Sequence, residues 1–278
     1  MGYVENDYIS NNHIEHEYYY AGNFGAKGEK RAKKEKPTPL QIKKNNHWNL
    51  VKRTKRLLQY NFFPTDKLLT LKYRAGTRKD IDSLKKDVSR FLRVMKTQYR
   101  KRGKEFMFIY RLEIGKLGGL HVHLVCNRIP DFDLIAREAW KRASEDTGAI
   151  DSEDLEAYGG FKGLAEYICK DPDEEIQGQL SFLLPQEQKK LYSVSSSRNL
   201  KRPEPIRKER KHWTMRKILT EGPKPTPGYV IDQDSIRQGI NPFTGYSYFS
   251  YTEVREHPIT REEYENGSKD KLIYPHKH

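Results

Sequence analysis

Two histidines one residue apart, His121 and His123, stand in the apolar run GLHVHLVCN. Side chains alternate across a β-strand, so both imidazoles project from one face, and Leu120, Val122, Leu124 and Cys126 project from the other. The strand pattern FMFIYRLEI precedes this run, and the five residues GKLGG join the two. Two strand patterns with a short Gly-rich connection predict a β-hairpin whose polar face carries the two imidazoles.

A carboxylate is predicted beside this pair. If the hairpin loop is symmetric, Glu113 lies directly opposite His121, with Cβ atoms about 5 Å apart. Imidazole nitrogens and a carboxylate oxygen together suit a divalent cation that keeps positions open for water or substrate. We therefore predict a metal site formed by Glu113, His121 and His123; the alternative is two surface histidines beside an ordinary exposed acid. His276 and His278 have the same spacing in a charged tail, and we assign that pair to solvent.

A tyrosine is predicted to complete the chemistry. The segment GGFKGLAEYICKD predicts a short helix that Pro172 ends, and residues three apart on a helix are neighbours, so Tyr167 and Lys170 can face one ligand. Gly163, one turn earlier, leaves room for a close backbone approach. A phenol is a poor nucleophile at neutral pH, but a metal that polarises a phosphodiester and a cation that balances its charge make attack feasible. In the structural alternative Tyr167 rims a core and Lys170 pairs with Glu166.

The surrounding elements indicate the fold class. KLLTLKY predicts a strand, the apolar spacing from Ile81 to Tyr99 predicts an amphipathic helix, and 133–147 predicts another helix. An acidic loop, the short helix and a strand in LYSVSSSRNL follow. This order is typical of an α+β domain around an antiparallel sheet.

Composition bounds the partners. The 278 residues carry a net charge of +14, which favours a polyanion such as nucleic acid. The charge is concentrated at 26–58 and 189–217, on either side of an acidic stretch at 145–175. No stretch is apolar enough to span a membrane and the N-terminus lacks a signal peptide pattern, which predicts a cytoplasmic protein with no membrane partner. Cys126 and Cys169 stand among apolar residues and are predicted to be buried free thiols.

Three segments of the chain resemble, in order, the three motifs of the HUH endonucleases: KLLTLKY, Glu113 with HVHLV, and YICK. More specifically, the chain is similar to the single-tyrosine replication initiators of rolling-circle plasmids, integrative elements and phages, over about 57–205. The resemblance implies an α+β, ferredoxin-like or RRM-like fold with a central antiparallel sheet of about five strands, helices on one face and the site on the other. With the polar, Lys-rich composition of the N-terminal residues and the linker pattern EGPKPTPGY, it predicts a flexible basic arm (1–38), the endonuclease domain (39–205), and a linker with an aromatic C-terminal extension (206–278).

The same resemblance implies an enzyme that nicks and rejoins single-stranded origin DNA. His121, His123 and Glu113 would hold Mg²⁺ or Mn²⁺, Tyr167 would form a 5′-phosphotyrosine link and free a 3′-OH, and Lys170 would balance charge. A host polymerase would extend the 3′-OH, and a host helicase would unwind the duplex, because the chain has no GxxxxGK[ST] sequence. The oligomeric state stays open.

Two departures and three alternatives qualify this interpretation. Lys72 stands where relatives often carry a small hydroxyl residue, and the tyrosine helix is in the acidic stretch, so DNA affinity is expected from the basic flanks and from Arg111 beside the metal. The alternatives are a transposase or relaxase of the same chemistry, a catalytically silent module that binds single strands by aromatic stacking, and a structural DNA-binding factor.

Overall fold

The computed structural model describes residues 2–20, 26–77, 79–158, 160–172, 174–180, 183, 188 and 191–267. The predicted solvent pair His276 and His278 lies outside these residues. The chain divides into two compact units. We call Leu50–Lys201 the site unit, and we call Met1–Asn49 together with Arg202–His278 the terminal unit.

Ten strands run through the described residues: β1 Tyr3–Ile9, β2 His13–Tyr19, β3 Lys67–Tyr73, β4 Phe108–Ile114, β5 Leu120–Cys126, β6 Gly148–Asp154, β7 Ser195–Ser196, β8 Ile206–Arg210, β9 Tyr229–Asn241 and β10 Tyr246–Arg255. The α-helices of the same residues are α1 Pro39–Asn61, α2 Ile81–Lys101, α3 Phe132–Ala143, α4 Gly160–Cys169, α5 Glu174–Leu180, α6 Arg216–Glu221 and α7 Arg261–Asn266. A 3₁₀ turn at Leu155–Tyr158 precedes α4. None of these helices combines the length and the apolar character that crossing a membrane requires.

The site unit contains the predicted five-stranded antiparallel sheet, with the strand order β6-β3-β5-β4-β7. Its first four strands follow the chain order β3-α2-β4-β5-α3-β6, which is the ferredoxin-like βαββαβ arrangement. The α+β class is therefore confirmed.

One face of this sheet forms the larger core with α2 and α3. Strand residues such as Leu69, Val122 and Leu124 are fully buried there against Phe91 of α2 and Trp140 of α3. The α2 helix begins where the Asp80 carboxylate accepts a hydrogen bond from the Ser83 amide, and it ends with basic residues that suit the negative end of the helix dipole. The pattern Ile81 to Tyr99 predicted this helix correctly.

The opposite face differs from the expectation that all helices lie on one side. Leu68, Ile109 and Val125 point to the face of the two histidines and form a second core there, to which α1 and α4 contribute. One end of this face is apolar and buried under these helices, and the other end is polar. The predicted polar face is thus divided along its length, and α4 lies beside the histidines.

Two other strands differ from their sequence patterns. The predicted acidic loop contains β6, whose sequence GAIDSED lacks apolar alternation because most of this edge strand is exposed; its pairing with β3 comes from the backbone. The segment LYSVSSSRNL, predicted as a strand, contributes only the two residues of β7. The polar composition of β6 explains why no strand was predicted there. β7 is short because only two of its residues pair with β4.

The terminal unit contains a second antiparallel sheet, of order β8-β1-β2-β10-β9. Residues 1–38 were expected to form a flexible arm, and the described part of this segment contradicts that: β1 and β2 are interior strands, and the amides of Ala32 and Glu35 donate to the carbonyls of Gly245 and Pro242. Polar composition was misleading because both strands pair with strands from the other end of the chain. The aromatic stretch after Asn241 forms β10, which pairs with β9 as a hairpin.

Candidate active site

The predicted hairpin register places the histidines and the acid in adjoining rows of the sheet. Glu113 pairs with His121, as a loop symmetric about Leu117 requires, and Lys72 of β3 completes that row. Arg111, His123 and Thr70 form the next row. At this polar end of the sheet face, the side chains of Glu113, His121 and His123 lie close together.

Glu113, His121 and His123 form a cluster that fits a divalent cation. Glu113 Oε2 lies 3.4 Å from Nε2 of His121 and 3.4 Å from Nε2 of His123. The potential ligand atoms all lie within 4.8 Å of one another. Two imidazoles and one carboxylate can hold a divalent ion on one side, and the half-buried setting leaves the other side accessible.

The carboxyl group of Glu113 is strongly acidic. Burial raises its pKa, but hydrogen bonds with His121 and His123 and the charges of His123 and Arg111 outweigh burial and lower the pKa to about 2. Glu113 is therefore a carboxylate at any physiological pH, as a metal ligand must be.

Thr70 orients His123 from the neighbouring strand. Its hydroxyl lies 3.3 Å from Nδ1 of His123, which is 6% exposed. When Nδ1 carries the hydrogen and donates it to Thr70, Nε2 keeps a lone pair directed at the cluster. In this arrangement the Thr70 hydroxyl accepts the hydrogen of Nδ1, and His123 has the tautomer that a metal ligand needs. Relatives often carry a small hydroxyl residue at the position of Lys72. In this chain the hydroxyl that contacts the site belongs to Thr70, which the sequence analysis did not identify.

Tyr167, on α4, reaches Nε2 of His123. Its hydroxyl oxygen lies 3.3 Å from Nε2 of His123, and the two rings meet edge to face at 5.0 Å. The side chain is 37% exposed. Burial, followed by the charges of Glu113 and Glu153, raises the pKa of Tyr167 above its ordinary value. The phenol therefore needs positive charge nearby before its oxygen becomes nucleophilic.

The sequence of α4 explains why Tyr167 faces the cluster. Leu164, Ala165 and Ile168 are buried on one side of the helix, which leaves Tyr167 at the edge. A Cβ atom on Gly163 would come within 2.3 Å of the carbonyl oxygen of Tyr158, so the predicted close approach is to this preceding turn. The packing of α4 thus sets where the phenol lies.

Two lysines of the site have exposed side chains. Lys170 follows the last residue of α4, and its predicted role in balancing phosphate charge stays a prediction. Lys72 forms an ion pair of 2.5 Å with Asp151, and both side chains are about half exposed. The strand of the first motif thus contributes two side chains. Thr70 contacts His123, and Lys72 pairs with Asp151.

Arg111 differs from its expected role. It was expected to help bind DNA beside the metal, but its residue is only 1% exposed. Its guanidinium donates to the carbonyl oxygens of Ile168 and Lys170, and Nε lies 3.3 Å from Oε1 of Glu113. Arg111 therefore contacts protein groups rather than DNA, because α4 covers it.

Sequence reasoning missed a second cluster of this type, in the terminal unit. His16 Nδ1 lies 2.7 Å from Asp7, and Nε2 lies 3.5 Å from Glu253. Lys208 and Arg210 lie 2.7 Å and 2.8 Å from Asp7 and Glu5, respectively. Burial lowers the pKa of His16, but the hydrogen bonds and charges of Asp7 and Glu253 outweigh it and raise the pKa to about 9. The cations already present make this cluster a salt-bridge network rather than a metal site.

The fold and the cluster define an α+β protein with a candidate metal site and a tyrosine beside it. Residues 66–172 match the family model described as replication-associated protein ORF2/G2P. The predicted resemblance to replication-associated proteins is confirmed over this stretch, which contains all five predicted site residues, and it supports a role in the initiation of DNA replication. No curated protein and no solved structure matched the chain.

Proposed function

We propose that this protein starts rolling-circle replication by nicking and rejoining single-stranded origin DNA through Tyr167. The observation that carries the proposal is the convergence on one nitrogen: Nε2 of His123 lies 3.4 Å from the Glu113 carboxylate and 3.3 Å from the Tyr167 hydroxyl. Phenol and candidate metal ligands thus lie side by side, within the stretch similar to replication-associated proteins.

In the proposed step, the hydroxyl oxygen of Tyr167 bonds to the scissile phosphorus. The bond from phosphorus to the 3′ oxygen of the preceding nucleotide breaks. The phenol loses its proton to solvent water, and the leaving 3′ oxygen takes one up, so charge and protons balance. The product is a 5′-phosphotyrosine link and a free 3′-OH, and the reverse reaction with another 3′-OH rejoins the strand.

Glu113, His121 and His123 would hold the metal, which we propose is Mg²⁺ or Mn²⁺. When bound, it supplies positive charge that polarises the phosphodiester and offsets the raised pKa of Tyr167. By accepting the hydrogen of Nδ1, Thr70 would favour the ligating tautomer of His123. Lys170 would balance charge on the phosphate oxygens from the end of α4.

Origin DNA is the proposed partner, and exposed basic side chains of the two flanks would bind its backbone. The first flank presents Lys30, Lys33, Lys34 and Lys36, and the second includes Arg198 and Lys211. A host helicase, a host polymerase and a cytoplasmic location complete the proposal.

The test uses the full-length protein, Mn²⁺ and a library of single-stranded oligonucleotides. Because the tyrosine would keep the 5′ phosphate, a label at the 3′ end reports the covalent adduct. A label at the 5′ end reports the released fragment, which a polymerase can extend. We expect an adduct that survives denaturation and disappears in Tyr167→Phe, while DNA binding persists.

Tyr158→Phe is the matched control. The Tyr158 ring lies 5.2 Å from that of Tyr167, but its hydroxyl donates to Glu153 at a distance of 2.6 Å. The adduct should form in this variant. DNA binding without an adduct, for every sequence in the library, would overturn the proposal and favour a silent binding module.

A further inference from the structure

We propose that Arg111 is the positioning residue of this site, whose guanidinium joins the end of α4 to the carboxylate of Glu113 and so sets the position of Tyr167. This inference depends on the proposed function for its activity readout only. Its structural part can be tested without DNA.

The contacts of Arg111 span the two halves of the site. One terminal nitrogen donates to the carbonyl oxygen of Ile168, the residue after Tyr167, and the other donates to the carbonyl oxygen of Lys170. On the opposite side, Nε lies 3.3 Å from Oε1 of Glu113. A single side chain thus connects the backbone next to the phenol with a predicted metal ligand.

These partners suit a guanidinium for physical reasons. The last carbonyls of a helix lack partners within the helix and carry the negative end of its dipole. The ring of Tyr192 lies 4.6 Å from the guanidinium carbon and stacks against it. Carbonyls, carboxylate and ring together offset the loss of hydration of a side chain that is almost completely buried.

The planar fork matters more than the charge. A lysine ammonium at this position keeps the charge, but its single nitrogen cannot reach both carbonyls while it lies beside the Glu113 carboxylate. The end of α4 would then move relative to His123. Displacement of a nucleophile by about 1 Å can reduce a rate by about 100-fold.

The first experiment places 3-fluorotyrosine at position 167 and records its ¹⁹F resonance in the full chain, without metal or DNA. We expect a resonance displaced from that of the denatured chain, because the ring of His123 lies against Tyr167. In Arg111→Lys it should move toward the denatured value. Thr54→Val is the matched control: Thr54 is buried and accepts a hydrogen bond from Cys169 at the end of α4, so this variant perturbs the same helix end without Arg111.

The second experiment measures adduct formation at saturating DNA, first at the Mn²⁺ concentration that saturates the wild type and then at a large excess of Mn²⁺. Arg111→Lys should reduce the rate about 100-fold and change the Kd for DNA less than threefold, while Thr54→Val stays within threefold of the wild type. If Arg111→Lys does not fold, Tyr192→Leu removes the ring beneath the guanidinium and should show the ¹⁹F shift to a smaller extent.

Three results would overturn the inference. The first is a ¹⁹F resonance unchanged in Arg111→Lys, and the second is a loss of rate in Thr54→Val equal to that in Arg111→Lys. The third is an Arg111→Lys rate that excess Mn²⁺ restores, since Arg111 would then act through metal affinity. If the wild type forms no adduct, the proposed function fails, but the ¹⁹F comparison still decides the role of Arg111.

Discussion

At the scale of residues, the candidate site depends most on His123, because oxygen atoms of three residues lie beside its two nitrogens. Glu113 and Tyr167 lie near Nε2, and Thr70 lies near Nδ1. An imidazole has only two nitrogens, so when the Thr70 hydroxyl accepts the hydrogen of Nδ1, Nε2 presents a lone pair. We therefore expect a threonine on a neighbouring strand to favour the ligating form of His123 without contacting the ion.

This arrangement predicts an effect of Thr70 on metal affinity. Thr70→Val keeps the side-chain shape and removes the hydroxyl, so we expect affinity for Mn²⁺ to fall about tenfold. Thr70→Ser keeps the hydroxyl and should bind like the wild type. Calorimetric titration of the DNA-free protein measures both, and equal affinities for all three proteins would exclude this role.

At the scale of elements, the position of α4 depends on a close backbone approach at its first turn. A Cβ atom at Gly163 would overlap the carbonyl oxygen of Tyr158, whereas a Cβ atom at the helical residue Gly178 would meet no described residue outside its own helix within 4 Å. Position 163 therefore has no room for a side chain, whereas position 178 does.

We predict opposite effects of alanine at these two positions. Gly163→Ala should lower the free energy of unfolding by about 2 kcal/mol, because the backbone must shift. Gly178→Ala should raise it by about 0.5–1 kcal/mol, because glycine costs helix stability and the space is open. Chemical denaturation measures both, and changes of the same sign would contradict the argument.

The second sheet predicts a stability effect at alkaline pH. The folded-state pKa of His16 is about 9 against 6.5 for the ordinary group, so its contribution is fully present below pH 6.5 and is lost as pH rises through 9. Relative to His16→Gln, the wild type should lose up to about 3 kcal/mol of unfolding free energy across this range. His257→Gln, at an exposed histidine, is the control and should show no such change.

At the scale of the whole molecule, the charge distribution predicts how DNA is bound. Removing residues 1–38 does not test this, because it deletes two interior strands of the second sheet. Point substitutions of exposed lysines leave those strands intact. The matched set for comparison is on α2, which packs on the sheet face opposite the histidines.

Replacing four lysines of the first flank with glutamine should weaken binding of single-stranded DNA. It should also flatten the plot of log affinity against log salt by about 3, since each lost phosphate contact contributes about 0.7. The flank variant replaces Lys30, Lys33, Lys34 and Lys36, and the control variant replaces Lys86, Arg93, Arg100 and Lys101. Fluorescence anisotropy measures both slopes; equal slopes would assign DNA binding to other residues.

The sequence by itself determined the elements whose patterns are local. Alternation in β4 and β5 and a symmetric five-residue loop predicted that Glu113 faces His121, and helical spacing predicted α2 and the buried side of α4. These features were predictable because strand and helix periods are repeated within a few residues. The metal and catalytic roles of the site residues stay predictions.

Only the tertiary structure decided the pairings between distant segments. It buried Arg111 beneath the end of α4, placed the Thr70 hydroxyl at His123, paired the polar strand β6 with β3, and joined strands from both ends of the chain into a second sheet. The physical reason is that such pairings depend on backbone hydrogen bonds and on which surfaces meet after folding. Neither has a local period, so polar strands and a buried arginine resemble exposed loops and surface charges in the sequence.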